Sequence, residues 1–174
     1  PISTDEAKAE LGVEEPVALT FGFVEEKKRY EDVVRALSTL PELTYLIAGE
    51  LREGEGEAVL ERVQELAEQF GVADQIRYLG YVNDRNVPVV FSATDVVVLP
   101  YERVSQSGVV NDALAYRRPV VASDLPAFRE LKREFGCIRL YDGKCLNSIL
   151  ADLLRNPEQR SRLTQAASEY FTEM

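Results

Sequence analysis

The sequence predicts an α/β fold: a Rossmann-like three-layer sandwich whose six-stranded, mostly parallel sheet carries helices on both faces. Three observations predict it. Short apolar runs recur along the chain, a stretch of helix length separates each run from the next, and Gly or Pro closes most of the runs. Continuous apolar runs read as strands buried on both faces, and strand–helix–strand repeats built on them give parallel sheets. The crossovers are expected to be right-handed. A chain of 174 residues suits one domain, whereas an eight-unit barrel needs roughly 250.

The elements follow in order. Residues 17–21 form the first strand, bounded by Pro16 and Gly22. A helix over residues 30–40 places Val33, Val34, Leu37 and Leu40 on one face, with Glu31 and Asp32 in the first turn, where the dipole favours them; Pro41 stops it. Residues 43–48 are a strand ending at Gly49, and residues 57–70 a helix closed by Gly71. Residues 76–79 are a strand ending at Gly80; Asn83 or Asp84 caps a short helix reaching Ser92. Residues 96–99 are a strand ending at Pro100, and a polar loop over 101–107 leads into a helix over 108–115. Residues 119–122 and 137–140 are the last two strands, with a helix over 127–134 between them. Helices over 144–154 and 157–170 finish the chain, the second with Asn156 as N-cap and Pro157 in its first turn. Ligands of an open parallel sheet bind beyond the carboxyl ends of the strands. Those ends are Gly22, Gly49, Gly80, Pro100 and Ser123.

Composition excludes several function classes. The formal net charge is −10, which disfavours diffuse binding to nucleic acid or an anionic membrane. No apolar run approaches the ~18 residues of a membrane span. The first residues have neither a basic n-region nor an apolar h-region and do not read as a signal peptide. Cys137 and Cys145 show no CxxC spacing, and there is no His, so a zinc site would need an unusual ligand set. We read both cysteines as reduced and structural in a cytoplasmic protein. Without His, the chain offers no His general base and no Ser-His-Asp relay. The dinucleotide fingerprint GxGxxG, the phosphate loop GxxxxGK[ST] and the nucleophile elbow GxSxG are also absent.

The informative stretch runs from Tyr101 to Asp124. Ser107-Gly108 stands immediately before a helix, whose free N–H groups and positive dipole end form an anion site. Gly108 allows close backbone approach, and Asp112 follows one turn later on the same face. Phosphate on the N–H groups at Ser107, Gly108 and Val109 and ribose hydroxyls on the Asp112 carboxylate would suit a nucleoside diphosphate. From spacing alone, Ser107-Gly108 reads more readily as a plain helix start and Asp112 as a solvated helix residue. Lys27-Lys28-Arg29 likewise reads as a solvated loop as readily as a phosphate site.

The residues 107–124 resemble the donor-binding segment of retaining glycosyltransferases of the GT-B fold, family 4. Ala113-Leu114-Ala115-Tyr116-Arg117-Arg118-Pro119-Val120-Val121-Ala122-Ser123 is similar to the family's "ALAxGxPVVAS". Phe21-Gly22-Phe23 followed by Lys28 resembles its first strand and phosphate-binding lysine. Ile47-Ala48-Gly49-Glu50, Tyr78-Leu79-Gly80-Tyr81-Val82 and Ala93-Thr94-Asp95-Val96-Val97-Val98-Leu99-Pro100 resemble three further segments in family order. The resemblance implies the C-terminal, nucleotide-sugar-binding domain of a cytoplasmic two-domain enzyme, with the N-terminal acceptor domain lying outside this chain. It implies hexose transfer to a hydroxyl acceptor with retention, no metal requirement, and a donor site formed by Gly22, Lys28, Ser107, Gly108, Val109 and Asp112. Lys28 would stabilise the leaving diphosphate. Peripheral membrane contact of the whole enzyme stays open. The chain departs from the family in two places. Where the family has two Glu separated by seven residues, this sequence has Val104 and Asp112, although Gln106-Ser107-Gly108 is similar to a known loop variant. The Arg that usually precedes the lysine is replaced in a stretch holding Glu25 and Glu26, and Lys27 and Arg29 are the candidates to compensate. A catalytically degenerate nucleotide-binding member of the family, or a generic small α/β binding module, are the alternative readings.

Overall fold

A computed structural model describes residues 2–14 and 16–173. Helix α1 (Thr4–Leu11) precedes strand β1 (Val17–Phe21), and a 3-10 turn (Glu26–Lys28) leads into α2 (Tyr30–Leu37). Then come β2 (Thr44–Ala48), α3 (Gly56–Gln69), β3 (Ile76–Gly80), α4 (Val87–Ser92) and β4 (Val96–Leu99). The chain ends with α5 (Gly108–Ala115), β5 (Val120–Ser123), α6 (Pro126–Phe135), β6 (Ile138–Tyr141), α7 (Leu146–Arg155) and α8 (Pro157–Glu173). The six strands form one sheet in the order β3-β2-β1-β4-β5-β6, and every pairing is parallel. The expected Rossmann-like sandwich is the fold observed.

Strand alternation divides the core into two layers. Ala18, Tyr45, Ile47, Val96, Val98 and Val121 face α2, α3 and α7, where Val33, Leu37, Val63 and Leu150 meet them. Leu19, Leu46, Val97, Leu99, Val120 and Ala122 face the other way, against Phe91, Val110, Leu114 and Phe128. Each such side chain fully removed from water contributes roughly 1.5–3 kcal/mol. Tyr45 and Thr20, both buried, are paired: Tyr45 donates its hydroxyl to Thr20 Oγ1 at 2.7 Å, and Thr20 donates to the Val98 carbonyl at 2.8 Å.

Three local readings need correction. Helix α1 was not expected. Its start is a capping box, Ser3 and Glu6 exchanging backbone and side-chain bonds, but only Ala7 of its residues is buried, so it lacks a broad apolar stripe. Helix α2 ends at Leu37, before Pro41, because the Ser38 and Thr39 hydroxyls bond back to the carbonyls of Arg35 and Ala36 while the backbone tightens to i−3 bonds. Helix α4 starts at Val87, since Asn83 accepts from the Asn86 N–H at 3.1 Å and closes a turn rather than capping the helix.

The strand order places the site. From β1 the chain steps to β2 and β3, then returns to β4 on the other side of β1. The sheet therefore has its switch point between β1 and β4, the place where such sheets open a crevice.

Candidate functional site

The β1 exit forms one wall. Gly22 has φ +104°, and its N–H donates to the Ala48 carbonyl at 2.9 Å. A Cβ on Gly22 would lie 2.8 Å from Lys28 Nζ and 3.6 Å from Val109 Cγ2. The neighbouring Gly49 (φ +147°) has even less room, since a Cβ there would sit 1.9 Å from the Gly22 carbonyl oxygen. Gly49 thus answers to close backbone approach, and Gly22 to its positive φ and the Lys28 ammonium beside it. The 3-10 turn then brings Lys28 back under the rim. Arg29, the next residue, has φ 46°, a left-handed conformation that L side chains disfavour and that recurs where a site over-determines the backbone.

Lys28 is 5% exposed. Its ammonium donates to the Phe21 carbonyl at 3.4 Å and lies 5.7 Å from the centroid of the Tyr101 ring. Among the described residues it forms no ion pair. Burial lowers its pKa from the usual lysine range to about 8, the charge of Glu25 resisting that fall. Glu25 itself is buried and paired with Arg52 and, at 3.3 Å, with Lys27.

The β4 exit forms the opposite wall. Tyr101 is buried, and its carbonyl accepts from Ser123 Oγ at the end of β5. Burial pushes its phenol up to about 12, with the nearby Ser107 hydroxyl offsetting part of that rise. No well-formed hydrogen bond joins the two: Ser107 Oγ is buried and without a partner. The Glu102 N–H donates to the Lys27 carbonyl at 2.7 Å and ties this loop to the Lys28 turn. Ser107 stands as N-cap of α5 without bonding its own helix, so the first N–H groups of α5 lack intrahelical partners. Nothing lies within 4 Å of where a Cβ on Gly108 would be. Beside this helix start, a cleft of about 540 Å³ opens towards α6, lined by Val104, Gln106, Ser107, Asn111 and Phe128 among others.

The structure gathers Gly22, Lys28 and Val109 within a few ångströms, with Ser107 and Gly108 preceding Val109 in the chain. Asp112 is exposed and sits one turn beyond Val109 on the same helix face. Its carboxylate makes no hydrogen bond or ion pair among the described residues, and partial desolvation raises its pKa. Lys27 and Arg29 are engaged elsewhere, Lys27 with Glu25 and Arg29 with Asp32 at 3.1 Å. Val104 packs partly into the apolar core. The sequence reading missed Tyr101, Arg52 and the pairing role of Glu25. For Tyr101 a signal existed, because it directly follows the Pro100 strand exit. Among the described residues, no group of three or more His, Cys, Asp or Glu could hold a metal ion, and no helix is long and apolar enough to cross a membrane.

The family model for glycosyl transferases group 1 matches residues 2–170. The chain is 36% identical over 103 residues to a phosphatidyl-myo-inositol mannosyltransferase of Mycobacterium leprae, covering 57% of this chain and 28% of that protein. It is 32% identical over 167 residues to a D-inositol 3-phosphate glycosyltransferase of Xylanimonas cellulosilytica, covering 92% and 40%. The chain thus spans less than half the length of these curated relatives. Among solved structures, the fold matches Anabaena HepE in complex with UDP-glucose at a TM-score of 0.88, with 18% identity over 98% of this chain and 48% of that one. It also matches the C-terminal domain of the group 1 protein LpcC from Francisella tularensis at a TM-score of 0.82, with 16% identity, 99% of this chain and 97% of that one. At such identities the two structures establish the fold, that of GT-B C-terminal domains. The match over 2–170 establishes the family: the chain belongs to the group 1 glycosyl transferases.

Proposed function

We propose that this chain is the donor-binding, C-terminal half of a two-domain GT-B enzyme, that it binds a nucleotide sugar, and that the whole enzyme transfers a hexose to a hydroxyl acceptor with retention of configuration. The observation that carries the reading is Lys28, a buried ammonium without an ion-pair partner, set at the sheet's switch point beside the start of α5. A desolvated cation of this kind gains most from an anion brought to it. The partnerless hydroxyl of Ser107 and the free N–H groups at Gly108 and Val109 offer further donors nearby. Two lines support a diphosphate as the anion. The HepE structures of similar fold are complexes with UDP, UDP-glucose, or UDP and glucose. The LpcC chain, which this one matches end to end, is itself a C-terminal domain, which supports an acceptor domain lying outside this sequence.

In the transfer step, the bond between the sugar's anomeric carbon and the diphosphate oxygen breaks, and negative charge grows on the leaving diphosphate. Lys28 and the α5 N–H groups would stabilise that charge without reorganising, the form of electrostatic help that lowers barriers most. We assign the compensating positive charge to these groups rather than to a metal ion. A second reading rests on Val104. Its apolar side chain, packed partly into the core, stands where the family places a glutamate near the sugar. It favours a member that binds nucleotide without transfer, and an activity assay on the whole protein separates the two.

Calorimetric titration with UDP, GDP and their sugar conjugates tests the binding claim. Asp112 is assigned to the ribose hydroxyls, and a hydrogen bond to a charged group contributes roughly 1.5–3 kcal/mol, or about 10- to 150-fold in affinity. Asp112→Asn and Asp112→Ala should each lower affinity by something of that order and leave the fold intact, while Glu65→Gln on the exposed face of α3 should change nothing. Parent-like binding by Asp112→Ala would remove Asp112 from the site.

A further inference from the structure

Beyond Lys28, the β1 exit carries a second arrangement of charge. Glu25 is the buried centre of three cations. Arg52 pairs with it, Nε donating to Oε1 at 2.8 Å, Lys27 reaches Oε2 at 3.3 Å, and the charge of Lys28 acts on it as well. Within this cluster one carboxylate faces three cations, while the surface beyond Arg52 is acidic, with Glu53, Glu55, Glu57 and Glu61 lining the adjoining pocket. Arg52 is also fixed from two other sides. Its guanidinium carbon lies 4.0 Å from the centroid of the Phe23 ring, a stacked cation–π contact, and Phe23 is a large apolar side chain left 43% exposed beside Gly22. Its backbone is pinned, its N–H donating to the Val24 carbonyl at 3.1 Å and its carbonyl accepting from the Gly56 N–H at 2.7 Å.

This arrangement orients a guanidinium without burying it, since the Arg52 side chain is 43% exposed. A planar guanidinium whose stem and one edge are fixed keeps further N–H donors for a ligand. Lys28 is buried at the end of the 3-10 turn and Arg52 follows the β2 exit, and the charges of both act on Glu25, so a ligand anchored at Lys28 would engage Arg52 through a second anionic group. We infer that Arg52 is a second phosphate-binding cation of this rim, oriented by Glu25 and Phe23, and that it selects diphosphates over monophosphates. The inference rests on the nucleotide-binding reading of the same rim.

The test is calorimetric titration of UDP, GDP, UMP and GMP into the 174-residue chain and its variants. Arg52→Gln should bind the nucleoside diphosphate taken by the parent about 10- to 150-fold more weakly and the matching monophosphate within about twofold. Removing Arg52 leaves Glu25 short of a partner, so the double variant Glu25→Gln/Arg52→Gln, which removes both charges, guards the fold and should show the same selective loss. Lys27→Gln should keep the parent's diphosphate affinity. Diphosphate binding within about twofold of the parent in both Arg52 variants would overturn the inference and leave the functional reading standing. An equal loss for monophosphate, or the selective loss appearing in Lys27→Gln instead, would also overturn it. A parent that binds no nucleoside diphosphate would sink the functional reading and this inference together.

Discussion

The exits of β1 and β4 face each other across the switch point and are built in opposite ways. At β1 the backbone is crowded. Gly22 and Gly49 touch where no side chain fits, Lys28 folds back beneath them, and Glu25 gathers the neighbouring charges. At β4 the chain is open. Residues 102, 103, 105 and 106 are exposed, Gly108 has free space around it, and Ser107 holds a hydroxyl without a partner. The β1 exit packs a cation out of water, and the β4 exit leaves backbone donors accessible; on the proposed reading an anion meets both.

The contrast breaks most visibly at the two glycines. Gly49→Ala should cost about 3 kcal/mol or more, because its Cβ would meet the Gly22 carbonyl backbone at a φ unsuited to L residues. Equilibrium urea unfolding reads this, and a midpoint equal to the parent's would show that the β1 exit can relax. Gly108→Ala should do the reverse. At a helical φ with open space around it, alanine should raise stability by about 0.5–1 kcal/mol. On the proposed reading the same methyl would stand where a phosphate approaches, so nucleoside diphosphate affinity should drop. If stability and affinity move together in this variant, the division of work between the two exits is wrong.

Much of the fold was legible, for reasons that particular residues show. Val96 to Leu99 and Val120 to Ala122 are apolar without a break, as strands covered on both faces must be. Helix α1 escaped because its stability comes from the Ser3 cap and from Lys8, which pairs with Asp95 at 2.6 Å, rather than from a broad apolar face; the Ser3-x-x-Glu6 signature was nonetheless present. The site was legible in its pieces. Gly22, Lys28 and the Ser107-Gly108 helix start stood out by position and by resemblance. The environment of Lys28 did not, because Tyr101 and Arg52 come from other strand exits and Glu25 from three residues earlier, where it read only as part of the stretch that lacks the family's Arg. Which carboxylate neutralises which cation is settled by tertiary packing, and no periodicity encodes it.

The proposed diphosphate site turns on Lys28, buried at a pKa of about 8. Its folded pKa lies below the usual 10.5, so the unfolded chain binds more protons between those values, and stability should rise with pH there by at most about 1.4 kcal/mol per unit. Nucleotide binding needs the ammonium and should run the other way. Titrating UDP and GDP by calorimetry into the parent and Lys28→Met, at a pH about one unit below and one unit above that pKa, tests this most directly. The parent should bind at least one of them at the lower pH and several-fold more weakly at the higher. Lys28→Met should bind about 10- to 150-fold more weakly at the lower pH, with the pH dependence largely gone. Equal affinities for parent and Lys28→Met at both values would remove Lys28 from the site.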